Sequence, residues 1–196
     1  HVLSGDMYIK LGKHELAIER YNRAILLNRT NADEIARVYF NMGLAYVELG
    51  QDKSAIKNYD EGLSLNPTAV EAYLARGLAH RRLGQVEQAI LDYNVAIHLD
   101  PRNTTAYLNR GVAHERLADY EQAIQDFDEA IRLKPPYAEA YFNRGVVYWH
   151  LSLYERAAQD FDEAIRFNPQ NAMAYYNRAV TYERLGRYEE AERDFT

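Results

Sequence analysis

The chain contains no cysteine among its 196 residues. This absence excludes disulfide bonds, thiol catalysis and cysteine-ligated zinc, and it is typical of a cytoplasmic protein. An excess of positive charge is also lacking, because the formal net charge is −6, and this disfavours nucleic acid as a partner. No apolar run approaches the roughly 18 residues of a membrane-spanning helix. Signal-peptide and P-loop patterns are missing too, and we expect no cofactor and no membrane span. We expect no metal, because His80 and His114 have no Asp, Glu or His partner at a ligand-like spacing.

What the sequence does contain is a recurring hexamer. AYLNRG occupies residues 106–111 and AYFNRG occupies 140–145, while AYYNRA at 174–179 and VYFNMG at 38–43 are close variants. The last residues of these hexamers and of their equivalent at 72–77 lie 34 residues apart, at Gly43, Gly77, Gly111, Gly145 and Ala179. Repetition with this period is the sequence signature of a repeat architecture.

An earlier copy begins around Gly5, which precedes Gly43 by 38 residues. Four residues are therefore inserted around the segment TNADEIAR at 30–37. Asn31 and Glu34 within it have the spacing of a capping box. We expect a helix there that is one turn longer than its equivalents.

Each copy predicts two antiparallel helices. In residues 104–116 the apolar and small side chains recur at three- and four-residue spacing, and a second stripe of this kind begins at Tyr120. The segment LAD separates the two stripes, where other copies have LG. Pro135 ends the second helix, since proline cannot continue it. Strand-like alternation is not found.

The period and these columns resemble the tetratricopeptide repeat. That family has an early aromatic and a small residue in its first helix, a Leu-Gly turn, and Ala, Phe or Tyr, Ala and Pro in its second. The resemblance covers essentially the whole chain and implies an all-α, right-handed superhelical solenoid of antiparallel helix pairs. We expect a single array over 1–196 with repeats near 1–35, 36–69, 70–103, 104–137, 138–171 and 172–196, the first and last truncated, as in a piece of a longer array.

Most of the 17 tyrosines fall in columns that pack helices together; Tyr137 and Tyr176 do not. The small residues Gly111 and Ala123 are expected to let the two helices of a copy approach closely. Arginine in the hexamer is always accompanied by aspartate sixteen residues later, and copies without one lack the other. This covariation predicts an ion pair between the helices of a repeat, at Arg76–Asp92, Arg110–Asp126, Arg144–Asp160 and Arg178–Asp194.

The resemblance implies that the first helix of each repeat lines a concave groove that binds ligands. The hexamer asparagines fall on this face, and they resemble the asparagine ladder of the O-linked N-acetylglucosamine transferase. Repeated amides suit a peptide backbone, which is itself periodic. Pairing with neighbouring helices or water is the alternative for these residues, which are Asn41, Asn109, Asn143 and Asn177.

An apolar column lies beside the asparagines, at Phe40, Leu74, Leu108, Phe142 and Tyr176. Trp149, the single tryptophan, lies on the same face, where it is either a binding hot spot or part of the helix packing. Arg81, Arg82 and Arg116 either select an acidic ligand group or pair with carboxylates of the chain. His80 and His114 are expected to be packing residues.

These features predict a non-enzymatic module that binds a peptide segment of a protein partner. The carboxylate clamp for chaperone tails is absent, since the apolar column contains no lysine. Two alternatives remain open: a self-assembly unit that stacks through its open ends into a homo-oligomer, and a substrate-selecting arm of a larger enzyme. The partner's identity does not follow from the sequence.

Overall fold

The structure is a computed structural model that describes residues 1–27 and 31–195. Within these residues it contains only helices and the turns between them. The helices are α1 (Val2–Lys10), α2 (His14–Leu26), α3 (Ala32–Glu48), α4 (Asp52–Leu65), α5 (Val70–Arg82), α6 (Val86–Leu99), α7 (Thr104–Arg116), α8 (Tyr120–Leu133), α9 (Ala138–His150), α10 (Tyr154–Phe167), α11 (Ala172–Arg184) and α12 (Tyr188–Phe195). Odd-numbered helices are called A helices below, and even-numbered ones B helices.

The helices group into two compact units, His1–Pro101 and Arg102–Thr196. In the first unit α1 packs on α2, α3 on α4 and α5 on α6, and each of α2 and α4 also packs on the A helix that follows it. The second unit repeats this order with α7–α8, α9–α10 and α11–α12. The first two B helices of each unit, α2 and α4 and then α8 and α10, therefore each lie against two A helices, and the apolar core runs between them.

Helix α3 has the extra turn that its sequence predicts. It contains 17 residues, whereas the other complete A helices α5, α7, α9 and α11 contain 13. The Asn31 side chain accepts a hydrogen bond from the backbone N–H of Glu34 at 2.8 Å, so the Asn31 half of the predicted capping box is confirmed. Thr30, at the start of the inserted segment, lies outside the described residues.

A glycine column on the A helices sets how closely the two helices of a pair approach. A Cβ built on Gly111 would lie 2.6 Å from Cε1 of Phe127, and one on Gly145 would lie 2.8 Å from Cε1 of Phe161. Both rings are almost completely buried. The expected close approach of the helices is confirmed, and its cause is an aromatic ring of the B helix lying directly on the glycine.

The predicted ion pairs are all present. Arg76 Nη2 lies 2.5 Å from Asp92 Oδ1, and Nη2 of Arg144 lies 2.7 Å from Asp160 Oδ1. The Arg110–Asp126 and Arg178–Asp194 pairs have the same geometry. The aspartate side chains are only 6–7% exposed, so these pairs lie inside the helix packing.

Three of the arginines also contact a second aspartate, which the sequence comparison did not predict. Arg76 Nη1 lies 2.6 Å from Asp60 on the preceding B helix, and Arg144 binds Asp128 in the same way. Burial of Arg144 opposes its charge, but its hydrogen bonds to Asp160 and Asp128 outweigh this effect and raise the pKa of the guanidinium further above its usual value. Each such arginine therefore joins two consecutive B helices through one A helix.

The turns inside the pairs need a left-handed residue. Gly50 and Gly84 supply it with φ of 69° and 76°, but Ala118 and Ser152 adopt the same conformation with φ of 58° and 59°. A side chain in this region costs roughly 1–2 kcal/mol.

We therefore expect Ala118→Gly and Ser152→Gly each to raise the free energy of unfolding by about 0.5–1 kcal/mol, after the greater entropy of unfolded glycine is subtracted. Urea denaturation followed by circular dichroism measures this. The reverse change at a matched turn, Gly84→Ala, should destabilise by a similar amount. Stability unchanged in all three variants would contradict a strained turn.

Candidate functional site

The second unit has a pocket between two successive A helices, α9 and α11, with α10 as its floor. Its volume is about 310 Å³. Most of the lining is apolar or aromatic. We call it the Trp149 pocket; its lining residues are Val146, Trp149, His150, Phe161, Tyr176, Asn177 and Val180.

The first unit has a smaller pocket at the equivalent place, between α3 and α5 with α4 as its floor. Its volume is about 260 Å³. We call it the Phe40 pocket; its lining residues are Phe40, Asn41, Leu44, Tyr59, Ala69, Glu71, Ala72 and Ala75. Leu44, Tyr59 and Ala75 occupy the repeat positions that Val146, Phe161 and Asn177 occupy in the Trp149 pocket. The two pockets therefore share three lining positions, while Phe40 and Asn41 line theirs from the first of the two A helices and Tyr176 and Asn177 from the second.

The asparagines of the hexamer differ in what they bind within the chain. Asn41 Nδ2 donates to Asp6 Oδ1 at 3.0 Å and to the Tyr21 hydroxyl at 3.3 Å. Asn143 Nδ2 donates to the Glu139 carbonyl of its own helix at 2.9 Å and is half-buried. Asn177 lines the Trp149 pocket. An amide that faces a pocket can both donate to and accept from a peptide bond.

The apolar column differs in exposure along the chain. Tyr176 is 54% exposed, whereas Leu108 is 5% exposed and belongs to the core around Phe127. Phe142 is half-buried, with its ring centre 5.9 Å from that of Phe161. Leu74 is also half-buried. Tyr176 therefore offers the largest accessible ring of this column.

Trp149 is half-buried, and it packs against neighbouring rings while it also lines the pocket. Its ring meets His150 and Tyr154 edge-on, at centroid distances of 5.7 and 6.3 Å, while the indole also lines the pocket. His150 is held by a stacked Tyr120 ring at 5.7 Å, and its Nε2 lies 3.6 Å from Glu115 Oε1. These contacts fix the orientation of the two aromatic walls.

The three arginines of the candidate surface lie in different environments. Arg82 Nε lies 3.2 Å from Asp52 Oδ2, so this residue pairs within the chain. Arg81 is half-buried and lies near Tyr93, whereas Arg116 is exposed. For Arg82 the geometry favours the pairing alternative.

Sequence reasoning missed the floors of the two pockets. Phe161 and Tyr59 lie on B helices, where the aromatic column had been explained by packing alone. Each ring covers the glycine of its own repeat with one edge and faces the pocket with another part of its surface. The aromatic column of the B helices carries this signal in the sequence, since a ring that packs on the glycine can also face a pocket.

Within the described residues, no group of three or more histidine, aspartate or glutamate side chains is placed to hold a metal ion. No helix of that part of the chain has the length and apolar character needed to cross a bilayer.

Stacked helix pairs with a glycine–aromatic contact and a 34-residue period define a helical repeat protein. Family models described as tetratricopeptide repeat match residues 74–138, 108–172 and 161–193, and a model described as TPR repeat matches 5–50 and 43–84. The chain belongs to the tetratricopeptide repeat family, and its fold is the all-α solenoid of that family.

Solved structures agree with this fold. The crystal structure of MamA is 28% identical over 79% of this chain and 90% of that chain, with a TM-score of 0.74. A tetratricopeptide repeat protein from Parabacteroides merdae ATCC 43184 is 22% identical over 98% of this chain and 75% of its own, with a TM-score of 0.86. YrrB is described as a TPR protein with an unusual peptide-binding site. It is 22% identical over 90% of this chain and 89% of its own, with a TM-score of 0.71. The comparison with curated protein sequences found no significant match.

Proposed function

We propose that this chain is a protein-interaction scaffold whose A helices bind a peptide segment of a partner. The observation that carries the proposal is the repetition of the pocket. Two pockets, one in each unit, lie between consecutive A helices over an aromatic ring of the B helix, and they share three lining positions of the repeat. The family fold is that of an interaction module, and the peptide-binding site named for YrrB supports a peptide ligand.

The chemistry of the Trp149 pocket fits an apolar or aromatic side chain of the peptide. Its walls are Trp149, Tyr176 and Phe161, and such rings contribute a large contact area at low entropic cost. Asn177 at the rim supplies a donor and an acceptor for the peptide backbone beside that side chain. The predicted ladder of Asn41, Asn109, Asn143 and Asn177 remains part of the proposal.

A second candidate function is self-association, which one observation favours. On α1 and its C-cap, the side chains of Leu3, Met7 and Leu11 are 82%, 54% and 59% exposed, and they recur every four residues. Sedimentation at several protein concentrations separates the two functions, because a peptide-binding monomer keeps its mass while a self-associating chain does not.

The peptide proposal is tested by selecting ligands from a displayed peptide library and measuring their affinities. Tyr176→Ala should weaken a selected peptide by about 30-fold, because a central aromatic hot spot contributes about 2 kcal/mol. Tyr188→Ala is the matched control, since Tyr188 is 69% exposed but lies on a B helix outside both pockets. It should leave affinity within about twofold.

A triple variant, Asn109, Asn143 and Asn177→Ala, isolates the role of the amides. If it stays helical and loses the selected motif, the asparagines bind the peptide backbone. If it enriches the same motif as wild type, the aromatic wall carries recognition and the ladder is wrong. A library that yields no ligand for the wild-type chain would contradict peptide binding altogether.

A further inference from the structure

Two repeats of the first unit lack the arginine that Arg76 supplies in the third, with Ser4 in its place in the first repeat and Met42 in the second. Met42 stands in the column of Arg76 and Arg144, and Asn58 stands in the column of their aspartate partners. Met42 is 4% exposed and packs into the core with Val38. Between α2, α3 and α4 the structure has a pocket of about 530 Å³ at this place. We call it the Tyr39 pocket; its lining residues are Asn22, Ile25, Leu26, Tyr39, Met42, Tyr46, Lys57, Asn58 and Glu61.

The aromatic walls of the Tyr39 pocket match those around a buried arginine. The Cζ of Arg144 lies 5.4 Å from the ring centre of Tyr141 and 5.8 Å from that of Tyr148. Tyr39 and Tyr46 occupy the same two columns and line the pocket. A planar guanidinium is favoured in such a place because it is attracted to the faces of aromatic rings.

The polar groups of the pocket are acceptors in the places where the other repeats have carboxylates. Asn58 donates through Nδ2 to the Ser54 carbonyl at 2.8 Å, which leaves its amide oxygen as an acceptor. Asn22 occupies the column of Asp128, the second aspartate that binds Arg144. Lys57 and Glu61 lie one turn apart on α4, so the charged side chains of the lining balance each other.

We propose that the Tyr39 pocket binds an arginine side chain supplied by a partner polypeptide. That side chain would take the place that Arg144 fills from within the chain in the second unit. Two rings and two amide oxygens select the guanidinium over the lysine ammonium, since the planar fork both stacks and donates several hydrogen bonds.

This site is separate from the proposed peptide surface. Tyr39, Met42 and Tyr46 lie on one face of α3, whereas Phe40 and Leu44 point to the opposite face, as the 3.6-residue turn requires. The two sites use different ligand chemistry as well, so either proposal can fail without the other.

The probe for this proposal is arginine blocked as N-acetyl-arginine N-methylamide, added to the full chain and followed by amide shifts in a ¹⁵N–¹H correlation spectrum. We expect saturable shifts in α2, α3 and α4 with a Kd of the order of 1 mM, as the size of the probe allows. The citrulline analogue has the same shape without the charge, and it should bind at least ~10-fold more weakly. The lysine analogue should also bind at least ~10-fold more weakly.

Two sets of variants decide whether the pocket itself is responsible. Asn58→Asp adds the carboxylate of the other repeats and should tighten the arginine probe by about tenfold. Met42→Arg combined with Asn58→Asp fills the pocket from within and should abolish binding. Tyr46→Leu should weaken binding about tenfold while Tyr46→Phe preserves it, because the ring face and not the hydroxyl makes the contact.

Equal binding of the arginine and citrulline probes would overturn the proposal. So would binding that persists in the Met42→Arg, Asn58→Asp protein, or that Tyr46→Leu leaves unchanged. If the filled variant does not fold, the comparison of Tyr46→Leu with Tyr46→Phe still decides the outcome.

Discussion

Arg144→Met is expected to lower the free energy of unfolding by about 3–5 kcal/mol, as breaking one side of a buried ion pair does. The cost arises at Asp160, whose side chain is 7% exposed and would lose both hydrogen bonds from the guanidinium. Asp128 adds little, because it is 53% exposed and water replaces its partner. Chemical denaturation followed by circular dichroism measures the loss.

Two controls test whether the loss comes from leaving a buried charge unpaired. Asp160→Asn in the Arg144→Met background removes the unpaired charge and should recover most of the stability. Arg166→Met removes an exposed arginine that pairs with Glu163 at 2.5 Å, and it should cost less than about 1 kcal/mol. An Arg144→Met protein as stable as the Arg166→Met protein would show that the buried pair does not hold the repeats together.

Phe127→Ala is expected to cost about 3–5 kcal/mol, because it empties the space of a fully buried ring. Gly111→Val is expected to cost about 1–3 kcal/mol by overpacking. Its Cβ would lie within 2.6 Å of that ring, and the ring cannot move without opening the α7–α8 contact. Thermal and urea unfolding of each variant measure these losses.

The double variant Gly111→Val, Phe127→Ala tests whether Gly111 and Phe127 act through one contact. Since alanine at 127 leaves room for the valine, the combined loss should be smaller than the sum of the single losses by about 1 kcal/mol or more. Additive losses would mean that glycine is needed at 111 for another reason, such as helix geometry. The same cycle at Gly145 and Phe161 would report on the second equivalent pair.

Much of the fold follows from the sequence because each contact recurs at the same positions in several repeats. The period and the helical spacing predict the helix pairs, and the joint presence of arginine and aspartate predicts the Arg76–Asp92 and Arg144–Asp160 pairs. The second carboxylates, Asp60 and Asp128, did not follow. They belong to the preceding repeat, and their contact depends on how closely a B helix packs on the next A helix.

The candidate site follows from the sequence only in part. Trp149, Tyr176, Phe40 and the asparagines were predicted, whereas the floors Phe161 and Tyr59 were not, and the volume of each pocket depends on which residues meet at one junction. Trp149 and Tyr176 enclose about 310 Å³, whereas Phe40 and Ala75 enclose about 260 Å³. The Tyr39 pocket could not be predicted, because a missing Arg–Asp pair is equally compatible with collapse of the space or with an opening. The pocket of about 530 Å³ between α2, α3 and α4 shows that the space stays open beside the buried Met42.

The position of the single tryptophan also makes the two proposed sites distinguishable by fluorescence. Trp149 lines its pocket in the second unit, and the first unit contains only tyrosines and phenylalanines as aromatic emitters. A peptide that enters the Trp149 pocket should therefore change the indole emission spectrum, while an arginine probe in the Tyr39 pocket should leave it unchanged. The intrinsic fluorescence of the unlabelled protein therefore reports which site is occupied. A change in tryptophan emission indicates binding in the second unit, whereas unchanged tryptophan emission is expected for a ligand in the Tyr39 pocket.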